Sequence, residues 1–251
     1  MNTSHILVLF VLGNVAFSFY AFDYISLFIS SSDVTGVSVF LSVMGVIYAI
    51  TAAFVIFEAA SRMNSLTEEI NKETIALRNL YSFVLLMEDD KLKEYARERI
   101  MNYCTAVKKR LYENDDKLKA ESSRRFRELF SIPEKIAIKG RNVETKKILA
   151  GHIVNSLEAS GEARARRRGL LGSSIPPIEI YLIIFLSLAI VTGFYFMGIA
   201  NKPLFMFVVL VASAAVSAVM YIIFDLSNPF KGFWNISPEP YDRTLKLLEE
   251  K

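Results

Sequence analysis

Residues 35–87 read TGVSVFLSVMGVIYAITAAFVIFEAASRMNSLTEEINKETIALRNLYSFVLLM. The first half, Thr35 to Ala60, carries one acid, Glu58, and no base. A hydrocarbon layer of roughly 30 Å needs about 20 helical residues at about 1.5 Å each, so this run is long enough to cross a membrane. The second half is highly charged, yet its apolar residues recur by sevens: Met63, Ile70, Leu77 and Val84, with Leu66, Glu73, Leu80 and Met87 as the companion row. Sevenfold spacing is the seam of a helix. The stretch therefore reads as one rod that leaves an apolar medium and enters water, which sets the fold class as an all-α, polytopic membrane protein.

Working outward, three further apolar runs appear at Ile6 to Ile29, Ile178 to Ala200 and Pro203 to Phe224. The connections Ser30 to Val34 and Asn201-Lys202 are so short that each pair of runs must form an antiparallel helical hairpin, because backbone in lipid has to hydrogen-bond to itself. No Lys or Arg precedes Arg62, whereas residues 61–175 hold 24 of the 29. Basic residues stay on the cytoplasmic side. The expectation is a multi-pass protein of the cell membrane with both termini cytoplasmic: spans 1 and 2 in residues 1–60, a cytosolic helical domain with a heptad stalk in 61–175, spans 3 and 4 in 176–225, and a cytosolic tail in 226–251. Ala16 and Ser18 could suggest a cleaved secretory signal, but a basic leading region is missing and the apolar stretch is too long for one.

Several function classes find no support. The lone cysteine, Cys104, permits no intrachain disulfide, and the two histidines, His5 and His152, have no plausible nucleophile near them in sequence, so no enzyme is expected. No cofactor or metal motif occurs. Regulatory calcium at Glu88-Asp89-Asp90 or at Glu113-Asn114-Asp115-Asp116 is the one alternative, although neither has the alternating ligands and distal glutamate of a calcium loop. Solvated helix ends are the plainer reading.

In the middle segment 24 bases face 17 acids, a net charge of +7. Helices are expected from Leu92 through Leu111, from Asp116 to Phe130, and from Asn142 onward, the last with Leu149, Ile153 and Leu157 on one side. Ser131-Ile132-Pro133-Glu134 has the pattern of a helix start with Ser131 as cap and Glu134 as its reciprocal partner, and Gly140 would break that helix early. The heptad seam packs either inside its own subunit or against another copy. Glu73 stands where leucine would be expected, and leucine there should strengthen the stalk; a buried carboxylate needs a partner. Lys72 and Arg78 project from other faces, so the basic helix that returns to the membrane is the better source. That helix ends in Arg164-Ala165-Arg166-Arg167-Arg168. Two readings stay open: attraction to anionic lipid headgroups, with Arg166 there and Trp234 in the tail as anchors, or ion pairing of Arg164, Arg167 or Arg168 with Glu73 or Glu69. Nothing aromatic interleaves the cluster, so nucleic acid is not expected as a partner.

Within the spans, Ser38, Ser42, Gly45, Ala49, Ala52, Ala53 and Ala60 lie on about a third of the second helix. The stripe serves close packing or touches water along a pore, and Ala214, Ser217, Ala218, Tyr221 and Asp225 form a similar one. Asn14, Asp23 and Glu58 are the residues to test for permeation, with Ser38 and Ser42 at the outer end, since polar groups in lipid are costly. Glu179 and Asp33 read as helix-end or interfacial groups. Only Lys202 balances Asp23 and Asp33 on the outer side, which would draw cations.

Three stretches resemble the bestrophin-like membrane domain family of prokaryotes. Glu73-Thr74-Ile75-Ala76-Leu77-Arg78-Asn79-Leu80-Tyr81 is similar to its Glu-x-x-x-Leu-x-x-Leu-Tyr segment. The arginine-rich helix, Pro176-Pro177 elbow and third span form the second match. The third runs from Asp225 through Pro229-Phe230-Lys231-Gly232 to Ser237-Pro238-Glu239-Pro240. The resemblance implies a homo-oligomeric ion channel by analogy with bestrophins, which are pentameric, calcium-gated anion channels; this chain lacks their acidic calcium clasp and aromatic neck. The expected function is a homo-oligomeric channel lined mainly by the second span, with Glu73, Arg164, Arg167, Arg168 and Asp225 as gating or coupling candidates. The alternative is a membrane-anchored sensor or scaffold.

Overall fold

The computed structural model describes residues 3–25, 31–113, 116–136, 142–172 and 175–250. Within them the chain forms α1 (Thr3–Ile25), α2 (Ser31–Leu85), α3 (Asp90–Glu113), α4 (Asp116–Leu129), α5 (Ser131–Glu134), α6 (Val143–Gly172), α7 (Pro177–Tyr195), α8 (Lys202–Leu226) and α9 (Glu239–Glu249). No strand occurs among the described residues. The protein is all-α. Residues 35–85 of that opening stretch lie in one uninterrupted helix, α2, of 55 residues, and Leu86-Met87 form the turn that follows it.

Two compact units divide the chain, one made of Met1–Ser61 with Ser174–Trp234 and the other of Arg62–Ser173 with Asn235–Lys251. The first is apolar and contains α1, the beginning of α2, α7 and α8. Three stretches, Val34–Leu85, Val143–Tyr195 and Lys202–Leu226, are long and apolar enough to cross a membrane, and the described apolar part of α1, Val8–Phe22, is shorter. In the second stretch the apolar portion is α7. Pro177 opens that helix where a missing N–H costs nothing, and Asn201 caps α8 by accepting from the Leu204 N–H at 3.0 Å.

This unit is pinned by side chains at helical spacing. On α8, Phe205, Val209, Val216, Met220 and Ile223 are buried, as are Ile183, Leu186 and Ile190 on α7. Tyr195 joins three elements: its ring meets Phe17 at 5.5 Å and Phe205 at 5.9 Å, and its hydroxyl donates to the Asn14 carbonyl at 2.9 Å. Gly193 lets α7 approach α2 closely, since a Cβ there would overlap Leu41. On α2 the buried line is Tyr48, Ala52, Val55 and Ala59, while Val39, Val43, Val46, Ile50, Phe54 and Phe57 are exposed. Of the expected small-residue stripe, Ala52 is buried but Ser42, Ala49 and Ala53 are exposed, and a Cβ on Gly45 would meet nothing within 4 Å.

The second unit packs the later part of α2 with α3, α4, α5, α6 and α9. The seam is buried inside this unit: Leu66, Ile70, Leu77, Leu80 and Val84 are at most 1% exposed. Each such side chain contributes about 1.5–3 kcal/mol on burial. Their partners come from their own chain, so the seam is not the free face of a stalk. On α3, Ile100, Tyr103 and Val107 are buried at helical spacing, and Ile153 and Leu157 do the same on α6. Lys108 of α3 holds Asp242 of α9 at 2.6 Å.

One local reading stands and another changes. Asp89 caps α3 by accepting from Leu92 N–H at 3.1 Å, and Asp90 pairs with Lys93 at 2.9 Å, so this acidic patch is a helix start. At Ser131 the expected capping box does not form: α5 is a single turn without a side-chain cap, because the Ser131 hydroxyl donates back to Glu128 O and meets the Tyr95 hydroxyl at 2.7 Å. Gly140, Asn114 and Asp115 lie outside the described residues.

Candidate functional site

The centre of the helical unit is a buried ionic cluster around Glu73. The heptad places this carboxylate on the inward face of α2, where it is fully buried. Arg167 of α6, also fully buried, donates Nε to Glu73 Oε2 at 2.7 Å and Nη2 to Oε1 at 3.3 Å. Two tyrosines complete the shell. Tyr103 of α3 donates its hydroxyl to Oε1, and Tyr241 of α9 donates to Oε2 at 3.4 Å. Four helices distant in sequence thus meet on one carboxylate. A bidentate Arg–carboxylate pair with its remaining lone pairs occupied is the arrangement that makes buried charge tolerable.

The surroundings act on each group. Burial and the Glu73 charge push the Tyr103 and Tyr241 hydroxyls well above the ordinary tyrosine range. Burial works against the Arg167 charge, but Tyr241, Glu73 and Tyr103 more than offset it and hold the guanidinium above its usual value. Cys104, fully buried beside the cluster, has its thiol pushed up by burial and then by Glu73. Phenols that stay neutral in the fold stabilise it fully below the unfolded tyrosine pKa of about 10, and that contribution is lost as pH rises through and beyond about 10. The urea midpoint of the purified protein is therefore expected to fall steeply above that pH, and Tyr103→Phe with Tyr241→Phe should flatten the dependence. An unchanged pH profile in that double variant would remove the phenols from the alkaline transition.

Other residues singled out in the sequence lie in varied settings. Arg164 is 7% exposed and reaches Ser123 Oγ at 3.1 Å while its guanidinium stacks over Phe126 at 4.3 Å. With Arg164 and Arg167 inside the unit, the arginine run does not offer all its charges to headgroups; the helical turn that buries those two leaves Arg166 and Arg168 exposed. Arg166 pairs with Glu162 at 3.5 Å, and Glu69 pairs with Lys72 at 3.0 Å.

In the apolar unit, Asn14 donates Nδ2 to Phe10 O at 2.8 Å and accepts from Tyr195, so its polar atoms serve helix contacts. Ser38 and Ser42 donate to the carbonyls of Thr35 and Ser38, each at 2.9 Å. Glu58 is exposed on α2. The side chains of Asp23 and Asp33 lie outside the described ones.

Asp225 organises the turn after α8. Its carboxylate accepts from the backbone N–H groups of Phe233 at 2.9 Å and Trp234 at 2.8 Å. The chain folds back onto it because Gly232 takes φ 119°, and a Cβ at Gly232 would run into the Asp225 carboxylate. Trp234 is 47% exposed. Among the described residues no group of three or more His, Cys, Asp or Glu is arranged to hold a metal ion.

Sequence reasoning named Glu73, Arg164 and Arg167 but missed the hydroxyl roles of Tyr103 and Tyr241. Tyr103 was legible as part of an apolar stripe; the missing inference is that a buried phenol seeks a partner.

Comparison with known proteins matches a Bestrophin-like domain over residues 7–241. No curated protein matches the chain. Among solved structures, the chain is similar to single-substitution variants of a bacterial bestrophin homologue from Klebsiella pneumoniae. One is 14% identical with a TM-score of 0.76, covering 97% of this chain and 99% of that one. Another is 15% identical with a TM-score of 0.78, covering 97% and 98%. At such identities the fold is what is shared.

Proposed function

We propose that this chain, which belongs to the Bestrophin-like family, works as a homo-oligomeric ion channel in the cell membrane, with a pore lined mainly by α2. The observation that carries the reading is α2 itself. It runs without a break from an apolar segment into the charged unit, and along its apolar part Val39, Val43, Val46, Ile50, Phe54 and Phe57 are exposed among the described residues. An exposed helix of this kind has room for neighbouring copies on its sides and, with Ser38, Ser42 and Gly45, a slim polar face toward water. The likeness in fold to a bacterial bestrophin homologue across nearly the whole of both chains supports the same reading.

In this proposal four spans cross the membrane with both termini inside, as the placement of lysine and arginine favours. The helical unit serves assembly or gating, and the Glu73–Arg167 pair is the coupling element. Purified protein reconstituted in liposomes should pass ions down a gradient, and single-particle images should display rotational symmetry around an axial opening. Absence of flux under every salt, voltage and calcium condition would leave a membrane-anchored sensor or scaffold instead. Asp23→Asn is expected to lower cation permeability relative to chloride, read from the reversal potential in a salt gradient. An unchanged reversal potential would take Asp23 out of the pore.

A further inference from the structure

Among the described residues, the Glu73 cluster contains more positive charge than its carboxylate neutralises. Arg167 uses Nε and Nη2 on Glu73, but its Nη1 is buried without a protein acceptor among the described residues. The same holds for Arg164 Nε, Arg110 Nη1 and the Ser160 hydroxyl. These groups belong to one neighbourhood. Arg164 stands 5.9 Å over the ring of Tyr103, the residue that donates to the same carboxylate as Arg167. Arg110 lies two turns further along α3 from Tyr103, and Ser160 one turn before Arg164 on α6.

Burial, followed by the charges of Arg167, Arg168 and Arg164, holds the Arg110 guanidinium below its ordinary value. Among the described residues Arg164 and Arg167 face the Glu73 carboxylate, already occupied on both oxygens, and Arg110 adds a third guanidinium beside them. Water could satisfy the N–H groups but not the charge, because an uncompensated buried cation remains expensive however it is hydrogen-bonded. A planar fork of donors fits tetrahedral oxyanions and pairs with them bidentately, which a single halide cannot exploit. Arg110 is half-buried, at the edge of the group, and gives a ligand a way in.

We infer that Arg110, Arg164, Arg167 and Ser160 form a binding site between α3 and α6 for a phosphoryl oxyanion, either free phosphate or the headgroup of an acidic lipid. The site is independent of the channel reading, since it requires only the folded helical unit. Occupancy would neutralise the excess charge beside Glu73 and tie α3 to α6.

The test uses the full chain purified in detergent, with sodium phosphate exchanged for sodium chloride at constant ionic strength. A soluble short-chain phosphatidate forms a parallel arm. Saturable stabilisation is expected, reaching a Tm increase of roughly 5 °C at high occupancy. Arg110→Met should weaken the midpoint of the response by about tenfold or more, and Arg110→Lys, which keeps charge but loses the fork, should fall between. Ser160→Ala gives a second, gentler variant in case Arg110→Met does not fold. A response to phosphate identifies the free anion, and a response to phosphatidate alone identifies the lipid. No response to either, or equal responses in wild type and Arg110→Lys, would overturn the site. So would a change of oligomer mass in Arg110→Met without any anion response, which would mean that a carboxylate from a second copy fills the place.

Discussion

Glu73→Leu is expected to destabilise the helical unit by about 3–5 kcal/mol, although the heptad alone invites leucine there. The substitution restores the apolar seam but strands Arg167, which has no solvent access and no other carboxylate partner among the described residues. It also leaves the hydroxyls of Tyr103 and Tyr241 without their acceptor. Arg167→Met should cost a similar amount by stranding the carboxylate. Combining Glu73→Leu with Arg167→Met removes both charges and should recover much of the loss, since apolar replacements of whole buried pairs are often neutral or stabilising. Denaturant unfolding of the purified chain measures all three. A Glu73→Leu protein more stable than wild type would mean that the pair does not persist in solution. If the double variant is stable but the proposed ion flux is altered, the pair serves coupling more than cohesion.

Gly232→Ala carries the second large effect, about 2–4 kcal/mol against the apolar unit. Two causes act at one point. Alanine at φ 119° is strained, and its Cβ would displace the carboxylate that accepts from Phe233 and Trp234. Asp225→Ala removes the obstruction as well as the two hydrogen bonds and should cost less, about 1.5–3 kcal/mol. The two substitutions share one contact, so their costs should not add. Thermal unfolding can check this, and a Gly232→Ala Tm within a degree of wild type would show that the turn relaxes freely. The spacing of Asp225 to Gly232, part of the family resemblance, thus has a physical reason: the acid needs a chain that can double back within eight residues.

What could be read in advance follows the range of each interaction. The seam from Met63 to Val84 was legible because helical period and burial are local properties, and Glu73 stood out against it. The need for an arginine from the returning helix followed from charge alone, and Arg167 occupies that place. Tyr103 and Tyr241 are 138 residues apart in sequence, and only the packing of α3 and α9 brings them to one carboxylate. Ser131 misled because a serine near a helix start has several acceptors within reach, and the neighbouring Tyr95 decided among them. Arg110 was hidden in the run Lys108-Lys109-Arg110, which looks like a solvated face until one notes that its spacing of seven from Tyr103 turns it inward. The exposed face of α2 is a different matter. Among the described residues Val39, Val43, Val46, Ile50, Phe54 and Phe57 stay exposed on it, so periodicity within one chain does not explain their arrangement.

Cys104 gives the protein a built-in clock. It is the sole cysteine, fully buried against the Glu73 cluster, with a thiol held in its unreactive form. A maleimide can reach it only when the surrounding helices part, so the labelling rate of the unmodified chain reports the opening equilibrium at the carboxylate where α2, α3, α6 and α9 meet. Any ligand, lipid or voltage step that loosens or tightens that junction can then be followed without adding a probe.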